Sequence, residues 1–168
     1  GSHSVNEVYL TDVKVPVENR VGEEGKGWTY AKGLLAHERS GLAGIQSSVL
    51  GLEKAKVNAE KIKVGDGTLL DLPNFKNKVG VLEAELLALE FTEMRTLARV
   101  AAGGDPGPES SILKLNGTEI QQRITELNRE AAGLFAAPWG HEASGPDVAQ
   151  GATQSYLGRR ATTIYGGA

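Results

Sequence analysis

The chain has 168 residues, 40 % hydrophobic and 23 % charged, which suffices for one domain with a core and is too apolar for disorder. A net charge of −3 with scattered basic residues argues against nucleic acid or an anionic membrane as partner, and no apolar run is long enough to predict membrane insertion. The absence of cysteine excludes disulfides, thiolate chemistry and zinc–sulfur sites, and His37 and His141 lack clustered carboxylates, so no metal site is expected. With no targeting signal, a cytoplasmic location is expected.

Gly1-Ser2-His3 look like a tag remnant and are set aside. Residues 7–15, EVYLTDVKV, alternate and carry β-branched or aromatic side chains, which predicts a strand ended by Pro16. One strand cannot bury a face alone, so it is either an edge laid on helices or the last strand of a sheet. From Trp28 a helical periodicity predicts one helix to about residue 64, closed by Gly65-Asp66-Gly67. Its apolar stripe is Trp28, Ala31, Leu35, Glu38, Leu42, Ile45, Val49 and Leu52. Gly33, Gly41, Gly44 and Gly51 lie inside it, pointing to close approach by another helix or a flat ligand.

Asp71-Leu72-Pro73 predicts the start of a second helix, to about residue 102. Its seam is Phe75, Val79, Leu82, Leu86 and Leu89, continued by the drifted stripe Met94, Leu97 and Val100. GGDPGP at 103–108 breaks the chain. A third helix is predicted over about 109–132, with Ile112, Leu115, Ile120, Ile124, Leu127 and Ala131 inward. The Gly- and Pro-rich 133–147 read as a loop, and a shorter fourth helix is predicted over about 148–163. The expected fold is all-α: an antiparallel four-helix bundle with a remnant β-strand at the N-terminus.

One position breaks the first stripe. Seven of its eight members are apolar and the eighth is Glu38, with Arg39 beside it. A buried acid must be paired, protonated or useful. Pairing with Arg39, His37 or a basic residue of another helix would make Glu38 structural, although neighbours i and i+1 point in different directions. An unpaired buried carboxylate is instead a competent proton acceptor near neutrality. Periodicity leaves both readings open.

The order of pieces resembles the C-terminal part of the acyl-CoA dehydrogenases, flavoenzymes that desaturate acyl-CoA thioesters. NEVYLTDVKVPVENRVGEEGKGW is similar to that family's passage from a middle β-domain into a helical domain, SSILK at 110–114 to its Ser-x-x-Lys segment, and RRATTIYGGA at 159–168 to its flavin-side loop. AHERSGLA and NGTEIQQ narrow the resemblance to the large-subunit type typified by pimeloyl-CoA dehydrogenase. The resemblance implies a tag remnant at 1–3, the end of a β-domain and linker at 4–24, and a helical bundle over 25–168 truncated in the flavin-side loop.

The resemblance also implies roles. Family members carry their catalytic glutamate either in the Tyr-Glu-Gly loop, where this chain has Gly166, or in a Glu-Arg pair on the first long helix, which Glu38-Arg39 matches. Glu38 is then the base, and the backbone N–H at Gly166 helps to stabilise the enolate oxygen. Tyr165, Gly166 and Arg39 fall to the substrate side, with Arg39 either positioning nearby groups or purely structural. Gly133, Gly167 and Ala168 fall to the FAD side. Implied partners are an acyl-CoA, an electron-transfer flavoprotein-type acceptor and a homo- or hetero-tetramer through the bundle.

Two departures stand out: no Arg-x-x-Phe-Gly follows the first helix, and Glu130-Ala131-Ala132-Gly133-Leu134 replaces Gln-x-x-Gly-Gly. The resemblance implies that most FAD and CoA contacts of the family lie in domains outside this sequence, so the 168 residues alone are expected to fold as a bundle without holding FAD tightly or turning over substrate. The alternatives are a non-catalytic oligomerisation subunit of such a complex, or an unrelated helical binding module.

Overall fold

A computed structural model of the chain describes residues 6–41, 43–139 and 145–166, with the side chains of residues 36, 37, 39 and 40 outside that description. Among the described residues five α-helices carry the structure: α1 (Gly27–Gly41), α2 (Ile45–Lys61), α3 (Pro73–Ala101), α4 (Glu109–Ala132) and α5 (Ala152–Arg159). Two short strands, β1 (Lys63–Val64) and β2 (Gly67–Thr68), pair antiparallel between α2 and α3. The fold is the expected all-α bundle. Among the described residues no helix is long and apolar enough to cross a membrane.

Helices α2, α3 and α4 share one core, in which Leu52, Phe75, Leu82, Leu113, Ile120 and Leu127 are buried. Burying each such side chain contributes ~1.5–3 kcal/mol. The predicted α3 seam is met in full: Phe75, Val79, Leu82, Leu86 and Leu89 all point inward. Pro73 opens α3 because its missing N–H costs nothing at the first helical position. Just before it, Thr68 and Asp71 form a reciprocal capping box, and the Thr68 donors hold the Asp71 carboxyl below its usual range. At the far end, the Arg99 guanidinium bonds both Glu109 oxygens at 3.0 and 2.5 Å and so closes the α3–α4 connection.

Four sequence expectations are corrected. The helix predicted over 28–64 is two helices, because Gly44 takes a left-handed conformation (φ +56) between them. Residues 7–15 form no strand; they are exposed, and nothing described pairs with them. Ile112 and Leu115 face outward, as do Met94 and Leu97. The phase set by Ile120, Ile124 and Leu127 runs back through Gly117 to Leu113, so the inward arc of α4 in its first turns carries small and polar residues instead. The fourth helix is shorter than predicted: α5 is flanked by 3-10 turns at Asp147–Ala149 and Arg160–Thr163.

Candidate functional site

The apolar stripe around Glu38 changes character at the break. Beyond it Ile45 and Leu52 are both buried to 2 % exposure, whereas Trp28 is 70 % and Leu35 42 % exposed on α1. Glu38 itself is exposed, so among the described residues no buried seam encloses it. None of the ion pairs between described residues includes it. The Arg39 side chain lies outside the described residues. The start of α1 is anchored by Tyr30, whose hydroxyl accepts the Glu23 N–H at 2.9 Å while its ring covers Gly22.

The elbow between α1 and α2 is held by one face of α4. Ala43 is fully buried, and a Cβ on Gly117 would stand 2.5 Å from its carbonyl oxygen, so only glycine permits this approach. One turn on, Gln121 Nε2 donates to the same carbonyl at 3.0 Å. That bond satisfies a buried backbone acceptor at a helix end, where no intrahelical partner exists.

The same face of α4 holds the far end of the chain. Gln121 Oε1 accepts from Arg159 Nη1 at 3.1 Å. Lys114, 4 % exposed, donates from Nζ to the Thr163 carbonyl at 3.0 Å, and Gln122 Nε2 donates to the Thr163 hydroxyl at 3.3 Å. Arg160 bonds Glu126 and the Gln122 carbonyl, and its guanidinium stacks 4.3 Å from the Tyr156 ring centre. After this anchored 3-10 turn come Ile164, Tyr165 and Gly166, with Tyr165 half-exposed and Gly166 left-handed (φ +75).

The predicted residues therefore fall into separate groups. Glu38 stands on α1, and Tyr165 and Gly166 follow the last turn, with α4 bracing the elbow below one and the turn before the other. Gly133 lies beyond α4 with φ +55 and open space where a Cβ would be, so a flat group can approach its backbone. Gly167 and Ala168 lie outside the described residues. A cleft of about 560 Å³ between α2, α4 and α5 is lined by Ser48, Asn58, Asn128 and Arg159, among others, and by none of the predicted site residues.

Sequence reasoning flagged Lys114 and Gln121 only as parts of longer matches. Their signal was available, because 114, 117 and 121 share one helical face; the choice of Ile112 and Leu115 as inward residues concealed it.

Residues 25–168 match the family described as "Acyl-CoA dehydrogenase, C-terminal domain". Acyl-CoA dehydrogenase FadE34 of Mycobacterium tuberculosis is 32 % identical over 170 residues, covering 99 % of this chain and 21 % of its own length. FadE26 of the same organism is 30 % identical over 132 residues, covering 76 % of this chain and 33 % of its own. The crystal structure of acyl-CoA dehydrogenase from Geobacillus kaustophilus superposes with a TM-score of 0.79 at 20 % identity, covering 95 % of this chain and 40 % of that one. The chain thus spans a third or less of these two curated relatives.

Proposed function

Because the chain belongs to the acyl-CoA dehydrogenase family, as its C-terminal helical domain, we propose that it serves an FAD-dependent desaturation of an acyl-CoA thioester in which Glu38 removes the α-proton. The observation that carries this reading is a paired one. Glycine occupies position 166, where many family members keep their base, while a carboxylate occupies position 38 on α1, followed by arginine.

The chemistry places modest demands on this chain. A thioester α-proton is weakly acidic, so the base must stand within hydrogen-bond reach and the developing enolate oxygen needs a donor. Glu38 supplies the base. The backbone N–H at Gly166 supplies a donor that does not depend on a side chain there, so glycine retains it. FAD, when bound, takes up the β-hydrogen as hydride. Gly133, Gly167 and Ala168 would lie on its side of the site. Exposed Leu34 and Leu35, one turn before Glu38, form the surface on which the remaining parts of the longer enzyme dock, drying the carboxylate.

Outward Leu87, Phe91, Met94 and Leu97 of α3, with Ile112 and Leu115 of α4, form the surface through which a homo- or hetero-tetramer assembles. An electron-transfer flavoprotein-type protein would be the acceptor of the electrons that FAD takes up. AHERSGLA and NGTEIQQ favour the large-subunit type typified by pimeloyl-CoA dehydrogenase. A second reading, a non-catalytic oligomerisation subunit, is favoured by the missing Arg-x-x-Phe-Gly segment.

Glu38→Gln in the full-length flavoprotein separates the two. Loss of flavin reduction by at least about 10²-fold with acyl-CoA binding retained supports the base. Reduction at the parental rate leaves Glu38 a structural residue.

A further inference from the structure

The reading of Glu38 and Gly166 as two halves of one site leaves open what fixes their relative placement. They lie 128 positions apart in sequence, on segments that do not follow one another. The described contacts converge on α4. Within two helical turns, Lys114 grips the Thr163 carbonyl, three residues before Gly166, and Gln121 grips the Ala43 carbonyl, five residues after Glu38. Gln121 also reaches the other way, to Arg159, so its amide joins the elbow to the helix that leads into the loop.

Each contact is specified by what surrounds it. Lys114 is a lysine with 4 % exposure on an inward helical face, where a charged ammonium is costly unless its donors are used. An apolar residue would satisfy packing there; only a long donor reaches the carbonyl at the end of the turn. Gln121, at 9 % exposure, presents donor and acceptor to two different segments at once, which neither a carboxylate nor an ammonium can do. A Cβ at Gly44 would stand 2.6 Å from Gln121 Nε2, and one at Gly117 would strike Ala43, so the elbow is fitted to this face with no slack.

We propose that Lys114 and Gln121 are positioning residues for the desaturation site: Lys114 sets the loop that carries the Gly166 donor, and Gln121 sets the elbow that aims the Glu38 helix. Neither touches substrate or flavin. The proposal rests on the assignment of Glu38 and Gly166 above. Its consequence is that loss of either contact slows proton abstraction more than it weakens binding, because a base and an oxyanion donor must meet the substrate in near-attack geometry.

The test uses the full-length holoenzyme with Lys114→Met, Lys114→Arg, Gln121→Met and Glu38→Gln. Single-turnover flavin reduction and acyl-CoA affinity are measured alongside peptide-level amide exchange over 41–47 and 161–166. Expected are faster exchange over 161–166 in Lys114→Met and over 41–47 in Gln121→Met. Flavin reduction slows at least about tenfold in each, with affinity within about threefold, and Lys114→Arg recovers most of the rate. Should Gln121→Met not fold, Gln121→Asn, which keeps the amide but shortens its reach, is read in the same way.

Parental exchange in these segments, or faster exchange with a parental reduction rate, overturns the proposal. Glu38→Gln keeps the two failures apart. If it abolishes reduction while the positioning variants are silent, the base stands and the positioning role falls. If Glu38→Gln reduces flavin normally, the desaturation assignment itself falls.

Discussion

A single ion pair decides the connection between the two longest helices. Glu109 opens α4 and Arg99 lies in the last turn of α3. The Arg99 donors, helped by the backbone N–H of Glu109 itself, hold the Glu109 carboxyl down to about 2 from an ordinary 4.5. Because the folded value lies below the unfolded one, the stabilisation is complete above the ordinary value and is lost as pH falls through it towards 2. Glu109→Gln should therefore lower the melting temperature at neutral pH, with the gap from the parent closing across that acidic window. A gap of constant size would show that the pair does not titrate with folding. Gly107 belongs to the same arrangement: a Cβ there would lie 2.4 Å from Arg99 Nη1 and 2.5 Å from Glu109 Oε2. At this scale the oddity of Glu38 was legible, since a carboxylate on an apolar stripe is visible in the letters. Its exposure was not, because periodicity reports a face and not what covers it.

Helix boundaries were legible where turn chemistry marks them and lost where tertiary contact overrides periodicity. Pro73 and GGDPGP bound α3 and α4 in the sequence as they do in the structure. The elbow at Ala43–Gly44 was missed because the apolar stripe runs through it unbroken; Gly117 and Gln121, more than seventy positions away, supply the contacts that fix the bend. The interior glycines sort by the same logic. A Cβ on Gly51 would stand 3.2 Å from Ile124 Cγ2 and Gly44 makes the bend, whereas Gly80, inside α3, faces open space. Gly117→Ala should cost about 1–3 kcal/mol, because backbone cannot yield to the added methyl. Gly80→Ala should gain about 0.5–1 kcal/mol from helix propensity alone. Urea denaturation of both variants checks the opposite signs; equal effects would mean that the elbow is not tightly packed against α4.

For the molecule as a whole, the ordered set of short segments made the family legible, while the outward Ile112 and Leu115 of α4 were misread as core. Phe91 at 59 %, Leu97 at 58 % and Leu115 at 51 % exposure leave apolar surface uncovered, the surface proposed above for assembly. Leu97→Glu should shift the full-length protein to smaller assemblies in light scattering while leaving helical content unchanged. An unaltered mass would remove α3 from the interface. The chain covers about two fifths of the solved acyl-CoA dehydrogenase it superposes on. The measurement that tests the central claim most directly is a full-length structure with a non-reactive acyl-CoA analogue, read for the distance from the Glu38 carboxylate to the substrate α-carbon. The account predicts an oxygen within about 3.5 Å of that carbon, with no basic side chain neutralising it. A Glu38 that faces solvent in that complex, or is clasped by an arginine away from the thioester, would contradict it.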